Sequence, residues 1–214
     1  MLATSVERET RFISFNISLL KELIFKPSQY FRRVSQGQIS FKFPFFIYAV
    51  SVVGGGAFYC WKPQGFPRDS FSSDLGVHSF GFWLGVGVLG FFLTIAVAGL
   101  VWIFLRFLEK RSAITLKNVV LITFSSHVYY ILLFGFLLAA TVVQAESFYK
   151  ISEIVWSLAS FVFTLAAIRA VSEVSVGKIF LSLFTASMAG AAILYAMYLV
   201  GILPAELLKA LLFS

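Results

Sequence analysis

His127 is the residue of this chain best placed to do chemistry. It stands among Thr123, Ser125, Ser126, Tyr129 and Tyr130, a knot of hydroxyls around one imidazole inside an otherwise apolar run. An ionisable side chain within a membrane segment is by default a functional hypothesis, either a proton relay or a polar-ligand site. Ligand binding by His127, Ser126 and Tyr130 is the specific reading. The plainer one is an imidazole hydrogen-bonded to a neighbouring helix. No Asp, Glu, Lys or second His shares its depth to act as a charged partner.

The rest of the chemical inventory is thin. Glu109, Glu146, Glu153, Glu173 and Glu206 fall at interfaces or in loops, and none pairs with another near mid-membrane. That argues against a proton- or sodium-coupled carrier, which concentrates charge at the midplane. It argues equally against an intramembrane aspartyl protease or metalloprotease. The chain carries no HExxH, GxSxG or Walker A pattern. Its single cysteine, Cys60, cannot form an internal disulfide or a multi-cysteine metal site. It reads as a small membrane-facing residue. The expectation is therefore a non-enzyme with no cofactor and no metal.

The elements that must position His127 are membrane helices. The 214 residues are 59% hydrophobic and 13% charged, with 26 Phe and a mean hydropathy of +0.91. Soluble domains carry roughly 25% charged residues. Apolar runs lie near 43–61, 80–105, 119–143, 154–171 and 179–203. Each approaches the ~20 residues that cross a bilayer as a helix. Lipid offers unpaired backbone groups no partner, so such runs must be helical. A membrane β-barrel would instead show short alternating segments. The fold expected is all-α: a polytopic bundle of five transmembrane helices with an N-terminal amphipathic interfacial helix. Residues 1–42 form the cytoplasmic segment and 43–214 the five-span domain. Counted from Lys117, His127 lies about 15 Å deep, near the bilayer centre.

Charge sets the expected orientation. Of the 17 basic residues, all but Lys62, Arg68, Lys150 and Lys209 fall on one side of this topology. The positive-inside rule places that side, with the N-terminus, in the cytoplasm, and five spans put the C-terminus outside. The net charge of +7 thus marks topology and an attraction to anionic headgroups of a cell or inner membrane. It gives no reason to expect nucleic-acid binding. Arg32, Arg33, Arg106, Lys110 and Arg111 would form a rim on that side, for headgroups or a partner, though ordinary anchoring needs no more than this bias. The opening residues 1–11 are polar and lack the apolar core of a signal peptide.

Residues 11–25 read as the amphipathic helix. Phe12, Phe15, Leu19, Leu20 and Leu23 share one face, and Arg11, Ser14, Ser18, Lys21 and Glu22 the other. It is too short to span and suits the inner-leaflet interface as an anchor, a lipid sensor or a docking helix. Pro27 ends it and starts a second short helix, 27–34. Gly54, Gly55 and Gly56 in the first span allow close packing or a hinge. Gly81 and Gly85 in the second, and Ser182, Ala186 and Gly190 in the fifth, are small-residue faces that suit a bundle or a dimer. The loop 62–79 would cap the bundle or meet a partner.

Three stretches carry a family likeness. Residues 19–50 hold a helix, Pro27, an aromatic turn (Tyr30, Phe31, Arg32) and a first span led by Pro44. Residues 108–126 form a cytoplasmic loop and third-span entry. Residues 151–184 hold Val155 and Trp156, then a turn, then Gly177 and Lys178 opening the fifth span. Together they resemble the Yip (Ypt-interacting protein) domain family, which implies five spans and a cytoplasmic N-terminus. The N-terminal region of about 40 residues resembles a short, prokaryote-like member, for which the likeness implies no activity. The function expected is a membrane scaffold or organiser, binding the bilayer and a membrane-protein partner or a second copy. The alternative is a transporter or channel for a lipid or small amphiphile, with a cavity near His127.

Overall fold

Two hydroxyls show how local sequence starts the helices. Ser79 Oγ accepts from the Phe82 N–H at 3.3 Å, and Thr115 Oγ1 from the Asn118 N–H at 3.2 Å. Each satisfies one of the donors that a helix start leaves open. The computed structural model describes residues 17–63, 66–67, 79–110 and 114–213. These form α1 (17–25), α2 (Pro27–Ser35), α3 (Lys42–Trp61), α4 (Phe80–Leu108), α5 (Leu116–Ser126), α6 (Val128–Val142), α7 (Glu146–Ser172), α8 (Val176–Leu199) and α9 (Ala205–Phe213).

Five helical units are long and apolar enough to cross a membrane: α3, α4, α5 with α6, α7 and α8. The chain is an all-α helical membrane bundle. Helix α4 packs on α8, α5 and α3; α6 packs on α7 and α3. The basic loops gather at one end, where Lys178 Nζ meets Glu109 Oε2 at 2.7 Å and ties the end of α4 to the start of α8. Both side chains are partly exposed, so this pair contributes little.

Glycines set the distances between helices. A Cβ on Gly87 would lie 2.1 Å from Val52 Cγ1, and one on Gly55 would lie 2.6 Å from the Phe134 ring. Helix α3 runs unbroken through Gly54, Gly55 and Gly56; Gly55 and Gly56 serve packing, while Gly54 faces open space. The fifth-span stripe turns inward: Ser182, Ala186 and Gly190 are buried, with Val97 3.2 Å from a Cβ on Gly190. Gly85, by contrast, faces open space.

Two boundaries and one added helix depart from expectation. Helix α7 begins at Glu146, eight residues before the apolar run, because its first turns carry Glu146, Lys150 and Glu153 and yet remain helical. Helix α8 ends at Leu199 rather than at 203. There Gly201 takes φ +76°, and the Ile202 N–H reaches back to the Met197 carbonyl at 2.9 Å, a helix stop that glycine suits. Helix α9 then packs back against α4 and α8, with Ala210 fully buried.

The N-terminal segment also differs in what it covers. Phe12, Phe15, Arg11 and Ser14 lie outside the described residues. In the described part, Leu19 and Leu23 of α1 are buried in the same core as Ile122, Phe163 and Ile168. The apolar face predicted for lipid thus packs on the protein. Helix α2 goes further. Its Phe31 ring meets the Phe163 ring at 5.1 Å, and Tyr30 Oη lies 2.8 Å from Ser125 Oγ. Phe163 and Ser125 sit about 14 Å along the helix axis from the basic ends of α7 and α5. Helix α2 is a wedge in the bundle rather than a surface strap.

Gly87→Ala should lower the thermal midpoint in detergent micelles by the equivalent of about 1–3 kcal/mol, the usual cost of overpacking. Val52→Ala in the same background should recover most of it. Gly54→Ala, with no atom within 4 Å of its Cβ, should be neutral or stabilising by up to ~1 kcal/mol.

Candidate ligand cavity at the broken third span

The third span, Leu116–Val142, carries a one-residue irregularity at His127, which keeps right-handed helical torsions (φ −63°, ψ −10°). Helix α5 stops at Ser126 and α6 starts at Val128. The His127 N–H turns to the Phe124 carbonyl, at 3.3 Å, and to that of Ser125, in place of the Thr123 carbonyl four residues back. Two side chains take over that carbonyl: Ser126 Oγ donates to it at 2.7 Å and His127 Nδ1 lies 3.0 Å away. Short polar side chains that compete for main-chain groups bend helices in this way. No proline is involved. A backbone break at membrane depth is tolerated where it is buried in protein or lines a cavity.

Here it lines a cavity of about 220 Å³ between α3, α4 and α5–α6. Its wall includes Tyr48, Ser51, Tyr59, Trp83, Thr94, His127, Tyr130 and Phe134, the edges of Gly55, Gly56, Gly87 and Gly90, and Leu211 from α9. The glycines let the wall close in, since Phe134, Trp83, Val52 and Tyr48 fill the room that a Cβ on Gly55, Gly56, Gly87 and Gly90 would need. Tyr48 donates its hydroxyl to the Gly87 carbonyl and stands edge-on to His127 at 4.8 Å. The Tyr130 ring lies 5.4 Å from His127. His127 is therefore held on two sides, by the Thr123 carbonyl and by rings. Its second nitrogen, Nε2, has no hydrogen bond among the described residues.

Of the three residues singled out for ligand binding, His127 and Tyr130 share this wall. Ser126 does not. It is buried and bonded to the Thr123 carbonyl, so it shapes the break and leaves the contact to its neighbours. Tyr48, Tyr59, Trp83 and Thr94 complete the site and were not singled out. Residues of α3 and α4 reach it only through the tertiary packing of three spans. The glycine clusters were the available signal, because they mark where those spans come closest.

Of the basic rim, Arg32, Arg106 and Lys110 are exposed. Arg106 sits 5.9 Å over the Trp102 ring, Arg33 is paired with Glu22 at 2.8 Å, and Arg111 lies outside the described residues. A second charge was read as an ordinary loop residue. Lys62 is only 3% exposed, with Nζ 5.8 Å from the Tyr59 ring and 5.7 Å from the Tyr149 ring. It caps the aromatic floor of the end remote from the basic loops. Among the described residues, no three His, Cys, Asp or Glu side chains gather as a metal site.

Behind the break, Tyr30 ties α2 to Ser125, the residue beside Ser126. Burial pushes the Tyr30 phenol above its ordinary range, so the hydroxyl stays protonated at physiological pH and keeps this bond. Comparisons of the chain with family models, curated proteins and solved structures return no match.

A double-mutant cycle on Tyr30→Phe and Ser125→Ala, read from thermal midpoints in micelles, should give a coupling of about 1 kcal/mol. A value near zero would mean the two hydroxyls do not meet.

Proposed function

We propose that this non-enzymatic, multi-pass membrane protein binds an amphiphile in the cavity around His127, as a carrier or channel for it. The observation that carries the reading is the helix break itself. A continuous span would satisfy its backbone unaided. This one spends two side-chain hydrogen bonds to turn at mid-membrane and present an imidazole to open space. Broken helices at membrane depth commonly build ligand sites.

A second reading, a scaffold, is favoured by a different surface. Phe25 and Phe107 are 77% and 79% exposed, beside Lys26 and Arg106 at the basic end. Aromatic and basic neighbours of this kind suit a headgroup layer or a partner helix. The Yip-like order of segments agrees with both readings. We place the N-terminus in the cytoplasm and α9 outside on the charge bias alone.

Native mass spectrometry of protein released from nanodiscs made of its own membranes tests the choice. Retention of a stoichiometric amphiphile, lost in His127→Ala, is the expected result. A co-purifying protein with no retained small molecule would favour the scaffold and reject the cavity reading. Orientation has its own check in a Cys60→Ser background. A cysteine at Ser70 should react with an impermeant maleimide in intact cells, and one at Ser35 only after permeabilisation.

A further inference from the structure

The cavity wall restricts what it can hold, and this step rests on the amphiphile reading above. Among the described residues, no Asp, Glu, Lys or Arg lines the cavity. A charged headgroup would enter a low-dielectric site with no counter-charge, at a cost of several kcal/mol. Lys62, which does not line the cavity, is already engaged over the Tyr59 and Tyr149 rings. What the wall offers is neutral: His127 Nε2, the Thr94 hydroxyl and the Tyr130 hydroxyl, which no hydrogen bond engages among the described residues.

The wall is also aromatic. Tyr48, Tyr59, Trp83 and Tyr130 surround the space, and Tyr59 and Trp83 stack on each other at 4.6 Å. Rings meet rings edge-on or offset with a gain of about 0.5–1.5 kcal/mol per pair beyond simple burial. Size agrees. An apolar cavity of about 150 Å³ accepts benzene, so about 220 Å³ accepts one substituted ring and little more. We infer that the cavity binds an uncharged, single-ring headgroup bearing hydroxyl or carbonyl oxygens, of the phenol or quinone class, with its alkyl tail left in lipid. His127 and Tyr130 hold the ring oxygen, and the aromatic wall holds the ring.

The test uses the full chain in nanodiscs of uncharged lipid and four probes with the same ten-carbon tail: 4-decylphenol, decanol, decanoate and decyltrimethylammonium. Binding is measured by calorimetry, with empty nanodiscs subtracted. Saturable binding of 4-decylphenol, at least tenfold tighter than the other three, is expected. Tyr130→Phe and His127→Ala should each weaken it about tenfold, and Thr94→Phe, which fills the cavity, should abolish it. Tyr130→Phe keeps the ring and removes one oxygen, so it remains informative if Thr94→Phe does not fold. Decanol binding as tightly as the phenol would overturn the ring requirement while the site stands. Tighter binding of either charged probe, lost in Thr94→Phe, would overturn the uncharged class while the site stands. No saturable binding of any probe, or binding indifferent to all three substitutions, would overturn the site together with the amphiphile reading.

Discussion

The carbonyl of Thr123 is the point on which the interior of this bundle turns. In hydrocarbon a main-chain oxygen released by a helix break has no water to receive it. Ser126 and His127 answer that need with their side chains, and the answer fixes three things at once. It sets where the third span bends, it locks the imidazole by Nδ1, and it holds the ring beside Tyr48 and Tyr130. Replace the break with a regular turn and the cavity loses its most polar wall. The glycines of α3 and α4 are the complementary half, since they let Phe134, Trp83, Val52 and Tyr48 pack close around the same wall.

Much of the fold was legible in the amino-acid sequence because lipid makes the code strict. A run such as 80–105 has no soluble reading, and its counterpart α4 ends three residues later. What hydropathy misses is helix that need not be apolar. The first turns of α7 are charged and still helical, since a helix crossing the interface continues into water on its own hydrogen bonds. Helix α9 is too short to register as a span. Its place comes from Gly201 and from the burial of Ala210, and only the second is a tertiary fact.

The candidate site was legible in part for the same reason. His127 stands out as an imidazole in an apolar run, whereas Tyr59, Trp83 and Thr94 look like ordinary span residues until α3 and α4 meet α6. Ser126 beside a histidine looks like a second ligand, but its hydroxyl bonds the Thr123 carbonyl and it lies outside the cavity wall. The backbone is the stronger competitor for a hydroxyl three residues away. Charge shows a similar division. The bias of basic residues tells which end they occupy, but not that Glu22 claims Arg33 or that two tyrosines enclose Lys62.

The wedge formed by α2 bears on how the protein is made. Tyr30 and Phe31 emerge from the ribosome early, yet Ser125 lies 95 residues further on and Phe163 later still. Until the third and fourth spans have entered the bilayer, the N-terminal segment has nothing to pack against. The contacts that seat α1 and α2 therefore all wait on chain that is synthesised later.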